Sequence, residues 1–89
     1  MIERELTVTN RLGLHARATA KLVQLLSPYR CNVTLIAKGR EVNAKSIMGV
    51  MLLAAGQATP VKLRVDGEDE AVAADAVTAL FERRFDEDQ

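Results

Sequence analysis

Gly13-Leu14-His15-Ala16-Arg17-Ala18 marks the point at which an extended opening segment gives way to a helix-forming run. Before it, residues 2 to 8 alternate, with Ile2, Leu6 and Val8 on one side and Glu3, Glu5 and Thr7 on the other, as a half-buried strand requires. Arg4 interrupts the inner row. Asn10 to Gly13 reads as a polar turn, and Leu14 is expected to anchor the following loop in the core. From Ala16 onward, Leu22, Val23, Leu25 and Leu26 form a broad apolar stripe, leaving Arg17, Lys21 and Gln24 to solvent. Ser27-Pro28 should end this helix, because the residue before proline is disfavoured in helical backbone.

Working toward the other end, a second strand is predicted over Asn32 to Ala37. Lys38-Gly39-Arg40 is a short glycine-bearing link to a third strand, Arg40 to Asn43, so the two should form a hairpin. Ser46 opens a shorter helix through about Leu53, where Ala54-Ala55-Gly56 lets the chain leave it. Val61, Leu63 and Val65 then alternate with Lys62, Arg64 and Asp66, a clear strand pattern. Gly67-Glu68-Asp69-Glu70 puts acids at the start of a third helix, where the dipole favours them, and Ala73, Ala76, Val77, Leu80 and Phe81 recur at helical spacing up to Arg83-Arg84. Asp86 to Gln89 is expected to fray. The order β-α-β-β-α-β-α predicts an α+β fold: a four-stranded antiparallel sheet with three helices on one face.

A chain of 89 residues has room for one core, so residues 1–89 read as a single domain. Apolar residues make up 48% of it but Trp is absent, so the core should be largely aliphatic. No run approaches the roughly 20 apolar residues needed to span a bilayer, and the opening Met1-Ile2-Glu3-Arg4-Glu5 is unlike a secretion signal. A cytoplasmic, monomeric protein without membrane insertion is expected. The lone Cys31 cannot form an intrachain disulfide or a thiolate metal cluster and is read as a small half-buried residue entering a strand. Formal net charge is zero, which argues against nucleic-acid binding. The cations Arg11, Arg17, Lys21, Arg30, Lys38, Arg40 and Lys45 nevertheless cluster in a middle section whose only acid is Glu41. They are either a docking surface for acidic partners or solvated faces.

His15 is the only histidine, placed where a helix starts. The first N–H groups of a helix lack intrahelical acceptors and carry the positive end of its dipole, so an anion attached to His15 would meet waiting donors. Arg17 adds a fixed positive charge. Imidazole, with an unperturbed pKa of about 6.5, is a competent nucleophile near neutral pH. Two readings follow from the residues: a histidine that accepts and releases a phosphoryl group, or a helix cap beside an ordinary surface arginine. Ser46 has a similar duality, since serine is a preferred N-cap.

Asn10-Arg11-Leu12-Gly13-Leu14-His15-Ala16-Arg17-Ala18, followed by Val42-Asn43-Ala44-Lys45-Ser46-Ile47-Met48-Gly49-Val50-Met51, closely resembles the HPr family, the histidine-containing phosphocarriers of the bacterial phosphoenolpyruvate-dependent phosphotransferase system. The resemblance implies an open-faced β-sandwich and a carrier that is a substrate of other phosphotransferases more than an enzyme, with no cofactor and no metal. It implies that His15 accepts the phosphoryl group on Nδ1 from enzyme I and passes it to IIA-type acceptors. Arg17 and the N–H groups of Ala16, Arg17 and Ala18 would stabilise it. Ser46 matches a serine that a dedicated HPr kinase/phosphorylase modifies in many bacteria. Ile47, Met48, Met51 and Leu52, with Lys21 and Lys45, would form the docking patch, while Val50 and Leu53 supply the core face. Methionine suits a surface that must fit several partners. Two positions depart from the pattern: Ala18 stands where proline is usual, and Thr19 where alanine is commoner. Alternatives are a regulatory, nitrogen-related carrier and, more remotely, a small RNA- or ligand-binding domain, although the strands lack the aromatics that stack on bases.

Overall fold

The computed structural model describes residues 1–87. Four strands, β1 (Ile2–Thr7), β2 (Asn32–Ala37), β3 (Arg40–Asn43) and β4 (Pro60–Asp66), alternate with three helices, α1 (Ala16–Leu26), α2 (Ile47–Leu52) and α3 (Glu70–Glu82), in the order β-α-β-β-α-β-α. The strands form one antiparallel sheet in the spatial order β1-β4-β2-β3. This is the expected open-faced α+β sandwich. α3 lies over β1 and β4, α2 lies beside β3, and α1 packs against both other helices.

The alternation in the strands explains the layering. Val33, Leu35, Val61, Leu63 and Val65 all point to the helical face and are buried, with Leu35 directly opposite both Leu63 and Val42. Arg4 stands opposite Leu63 in this inner row. Its guanidinium escapes the core by reaching α3, where it donates to Thr78 Oγ1 at 3.1 Å and pairs with Asp75 at 2.8 Å. On the uncovered face Arg64 pairs with Glu3 on β1 and Glu41 on β3, lacing the sheet with charge. The β2–β3 link turns through Lys38 and Gly39, both at positive φ, as a two-residue hairpin with right-handed strand twist demands.

Helix ends follow local chemistry, and the acids at the start of α3 differ in what they do. The Asp69 carboxylate does not cap α3. It accepts the backbone N–H groups of Arg30 (2.9 Å) and Cys31 (3.0 Å), tying the start of α3 to the approach to β2. Those bonds outweigh desolvation and hold its carboxyl below the usual range. Cys31, expected half-buried, is fully buried.

After α3 the chain makes a 3₁₀ turn through Arg84–Asp86 in which all three residues have positive φ. Left-handed backbone is costly for residues with a Cβ, so something must hold the turn in place. Phe85 does so: its side chain is fully buried, with its ring centroid 4.8 Å from that of Phe81. Lys21 Nζ donates to the Phe85 carbonyl at 2.9 Å, and Arg83 pairs with Asp86 at 2.9 Å. Asp86 and Glu87, assigned above to a frayed tail, are therefore held by specific partners, because the buried ring pins the segment down. Asp88 and Gln89 lie outside the described residues.

Phe85→Ala is expected to lower stability by about 3–5 kcal/mol, the usual cost of removing a buried phenylalanine. Urea denaturation would measure it.

Candidate functional site

His15 leaves extended backbone (φ −79°, ψ −177°) to cap α1. The first intrahelical bond runs from the Thr19 N–H to the His15 carbonyl at 2.9 Å, so the N–H groups of Ala16, Arg17 and Ala18 have no acceptor within the helix. The Arg17 N–H donates instead to His15 Nδ1 at 3.2 Å. On the other side of the ring, Nε2 lies 2.7 Å from Glu87 Oε2. Because Nδ1 accepts a hydrogen bond, it bears no proton. The neutral ring therefore carries its proton on Nε2 and donates it to the carboxylate, leaving a lone pair on Nδ1. The side chain keeps 28% of its surface exposed, enough for a visiting group to reach it.

The loop that presents the ring is held from three directions. Asn10 is fully buried, and its Nδ2 donates to the Gly13 carbonyl (2.8 Å) and to Glu87 Oε1 (3.0 Å). The Leu14 N–H donates to the Ala55 carbonyl at 2.9 Å, joining the loop to the segment after α2. Gly13 is required at this junction: its φ is +68°, and a Cβ there would stand 2.4 Å from the Ala55 oxygen. The buried Thr19 hydroxyl donates to the Leu14 carbonyl at 3.2 Å. Ala18 lacks the ring that would stiffen the first turn, and the Thr19 bond restrains the same turn from the next residue.

Glu87 is mostly buried, with 12% of its side-chain surface exposed. Burial pushes its carboxyl upward, but hydrogen bonds from Asn10 and His15, together with electrostatic attraction toward the His15 ring and Arg17, prevail and leave it below the ordinary glutamate value.

The other residues expected to act here fall in different places. Ala16 and Arg17 are exposed beside the ring, whereas the side chain of Ala18 is fully buried. Ser46 caps α2, its Oγ accepting the Gly49 N–H at 3.1 Å. Ile47, Met48, Met51 and Leu52 are all exposed, Met48 to 77%, while Val50 and Leu53 are buried. The two lysines grouped with that patch are tied to separate segments: Lys21 to the Phe85 carbonyl and Asp86, Lys45 to the Tyr29 carbonyl. Sequence reasoning missed Glu87 and Asn10, and also Leu12, which is 67% exposed in the loop before His15. Asn10 had a signal, as an asparagine in a turn. Glu87 had none, since its partner lies 72 residues away in the chain.

The chain is thus an open-faced α+β domain, a small antiparallel sheet with an imidazole at the amino end of its first helix. Residues 2–83 match the family model described as the PTS HPr component phosphorylation site. The phosphocarrier protein HPr of Xylella fastidiosa is 68% identical over 88 residues, covering 99% of both chains, and that of Cupriavidus necator is 53% identical over 87 residues, covering 98% of both. The crystal structure of HPr from Thermoanaerobacter tengcongensis superposes with a TM-score of 0.96 at 39% identity, covering 100% of both chains. The chain belongs to the HPr family, the phosphocarriers of the phosphotransferase system.

The depressed carboxyl of Glu87 sets a pH dependence. A group whose folded pKa lies below its unfolded value stabilises the fold above the unfolded value, about 4.3 for glutamate, and that contribution fades as pH falls through the folded one. The stability difference between the wild type and Glu87→Gln, measured by urea midpoint, should be constant from about pH 5 to 6 and shrink below about pH 4.

Proposed function

We propose that His15 accepts a phosphoryl group on Nδ1 from phosphorylated enzyme I and passes it to IIA-type acceptors in the cytoplasm, acting as a carrier between enzymes. The observation that carries this reading is the lone pair of Nδ1, held at the amino end of α1 against the Arg17 N–H. In the transfer, that lone pair forms the N–P bond while the bond from phosphorus to the donor breaks. The Ala16, Arg17 and Ala18 N–H groups and the Arg17 guanidinium then stand near the new negative charge. The stabilisation must be modest, since a carrier has to release what it accepts. A partly exposed site at a helix start suits that requirement.

Docking falls to the exposed face of α2, formed by Ile47, Met48, Met51 and Leu52. Its side chains are more apolar than an unpartnered surface helix needs, and two are adaptable methionines. Lys21 and Lys45 join this surface only where their present hydrogen bonds leave them free to turn.

Ser46 is the second modification site in this reading, the target of an HPr kinase/phosphorylase. A phosphate there would sit at the start of α2, where the dipole tolerates negative charge, so the fold should survive. The added charge would stand beside the apolar docking face and repel an acidic partner.

With enzyme I and labelled phosphoenolpyruvate, the wild type should acquire acid-labile, base-stable label and His15→Ala none; label that survives the substitution would refute the site. Ser46→Asp should lower kcat/KM for phosphorylation by enzyme I roughly tenfold without unfolding the protein. An unchanged rate would count against regulation at Ser46.

A further inference from the structure

The carboxylate that meets His15 comes from a segment outside the loop and helix that make the site. Glu87 uses both oxygens there: Oε1 accepts from the buried Asn10 amide at 3.0 Å, and Oε2 lies 2.7 Å from His15 Nε2. Asn10 also holds the Gly13 carbonyl, so one buried amide sets both the loop carrying the histidine and the carboxylate facing it. The residues before Glu87 are fixed in turn by the buried ring of Phe85, by the Lys21 bond to its carbonyl, and by the Arg83–Asp86 pair. Arg17 on α1 is the further cation whose field reaches Glu87. A mostly buried carboxylate held this firmly against one nitrogen of a two-nitrogen nucleophile decides which nitrogen is left to react.

We propose that Glu87 is a positioning residue that directs phosphorylation of His15 to Nδ1, by occupying Nε2, keeping the proton there, and facing the positive charge the ring acquires. The charge follows from counting electrons. When the Nδ1 lone pair forms the N–P bond, Nε2 still holds its proton, so both nitrogens are substituted and the ring becomes a cation. Glu87 is the anion in contact with that cation. Holding the proton through the step also makes the ring a neutral leaving group in the onward transfer, when the N–P electron pair returns to Nδ1. The purpose of this arrangement rests on the carrier reading above, but the regiochemistry does not.

The test therefore uses a donor that needs no second protein. Potassium phosphoramidate transfers its phosphoryl group to histidine, its own P–N bond breaking with loss of ammonia, and phosphorus and nitrogen NMR distinguish the Nδ1 from the Nε2 product. The full chain should yield the Nδ1 product alone. Glu87→Ala should yield Nε2 product as well and form the Nδ1 product about tenfold more slowly, less than the roughly 100-fold or more typical of a group that itself transfers a proton, because Glu87 only holds one in place. Glu87→Gln, whose amide oxygen still accepts from Nε2, should keep Nδ1 selectivity while reacting more slowly than the wild type. A residue that served only to hold the fold would change the rate without changing the nitrogen that reacts. Exclusive Nδ1 product from Glu87→Ala, or the same mixture of products from the Ala and Gln variants, would overturn the assignment. A chain that shows the expected regiochemistry yet takes no label from enzyme I would keep the Glu87 role and refute the carrier reading.

Discussion

An imidazole has two nitrogens, and in this fold they meet opposite polarities: Nδ1 faces the Arg17 N–H and Nε2 faces the Glu87 carboxylate. That clamp favours one neutral tautomer, with the proton on Nε2 and the lone pair on Nδ1. The surrounding architecture serves it. The first helix starts just after His15, and the turn that follows α3 returns the chain to the same place to bring the carboxylate. Asn10 spans the two. A site built from loop, helix start and a buried turn leaves the imidazole partly exposed.

The same economy appears in how the loop is held. Gly13 lies so close to the Ala55 carbonyl that no larger residue fits, and Leu14 both enters the core and donates to that carbonyl. The site is therefore keyed to the segment following α2, the helix whose outer face is exposed and apolar. Val50 and Leu53 root that helix in the core, which frees Ile47, Met48, Met51 and Leu52 from any structural duty there. Ser46 begins it as a cap through its own hydroxyl, so modifying that oxygen would trade a hydrogen bond to Gly49 for a charged interaction with the same helix start.

Thr19 and Ala18 show a local exchange of one constraint for another. A proline at position 18 would restrict the first turn by its ring. With alanine there, the Thr19 hydroxyl reaches the Leu14 carbonyl and restrains the turn through a buried hydrogen bond. The bond crosses the residue that matters, since His15 lies between its ends.

Much of this protein was legible in the residue order. Strand alternation from Ile2, Val33 and Val61, and helical spacing from Ala16 and Ala73, are local properties of the backbone, and they carried the element order and the sheet. The paired blocks around His15 and Ser46 likewise pointed to the family and to both candidate sites. What the chain order could not supply were contacts made by folding alone. Arg4 broke an apolar row for no local reason until α3 brought Asp75 and Thr78 within its reach. Asp69, an acid at a helix start, turned to the amides of Arg30 and Cys31. Asp86 and Glu87 read as a polar tail because nothing near them in sequence indicates a partner. Only the burial of Phe85 against Phe81, across a left-handed turn that local preference disfavours, carries Glu87 to His15. Periodicity and helix caps depend on neighbours a few residues away, whereas the acceptor for Nε2 is set by the packing of distant segments, and that is why the tertiary structure alone decided it.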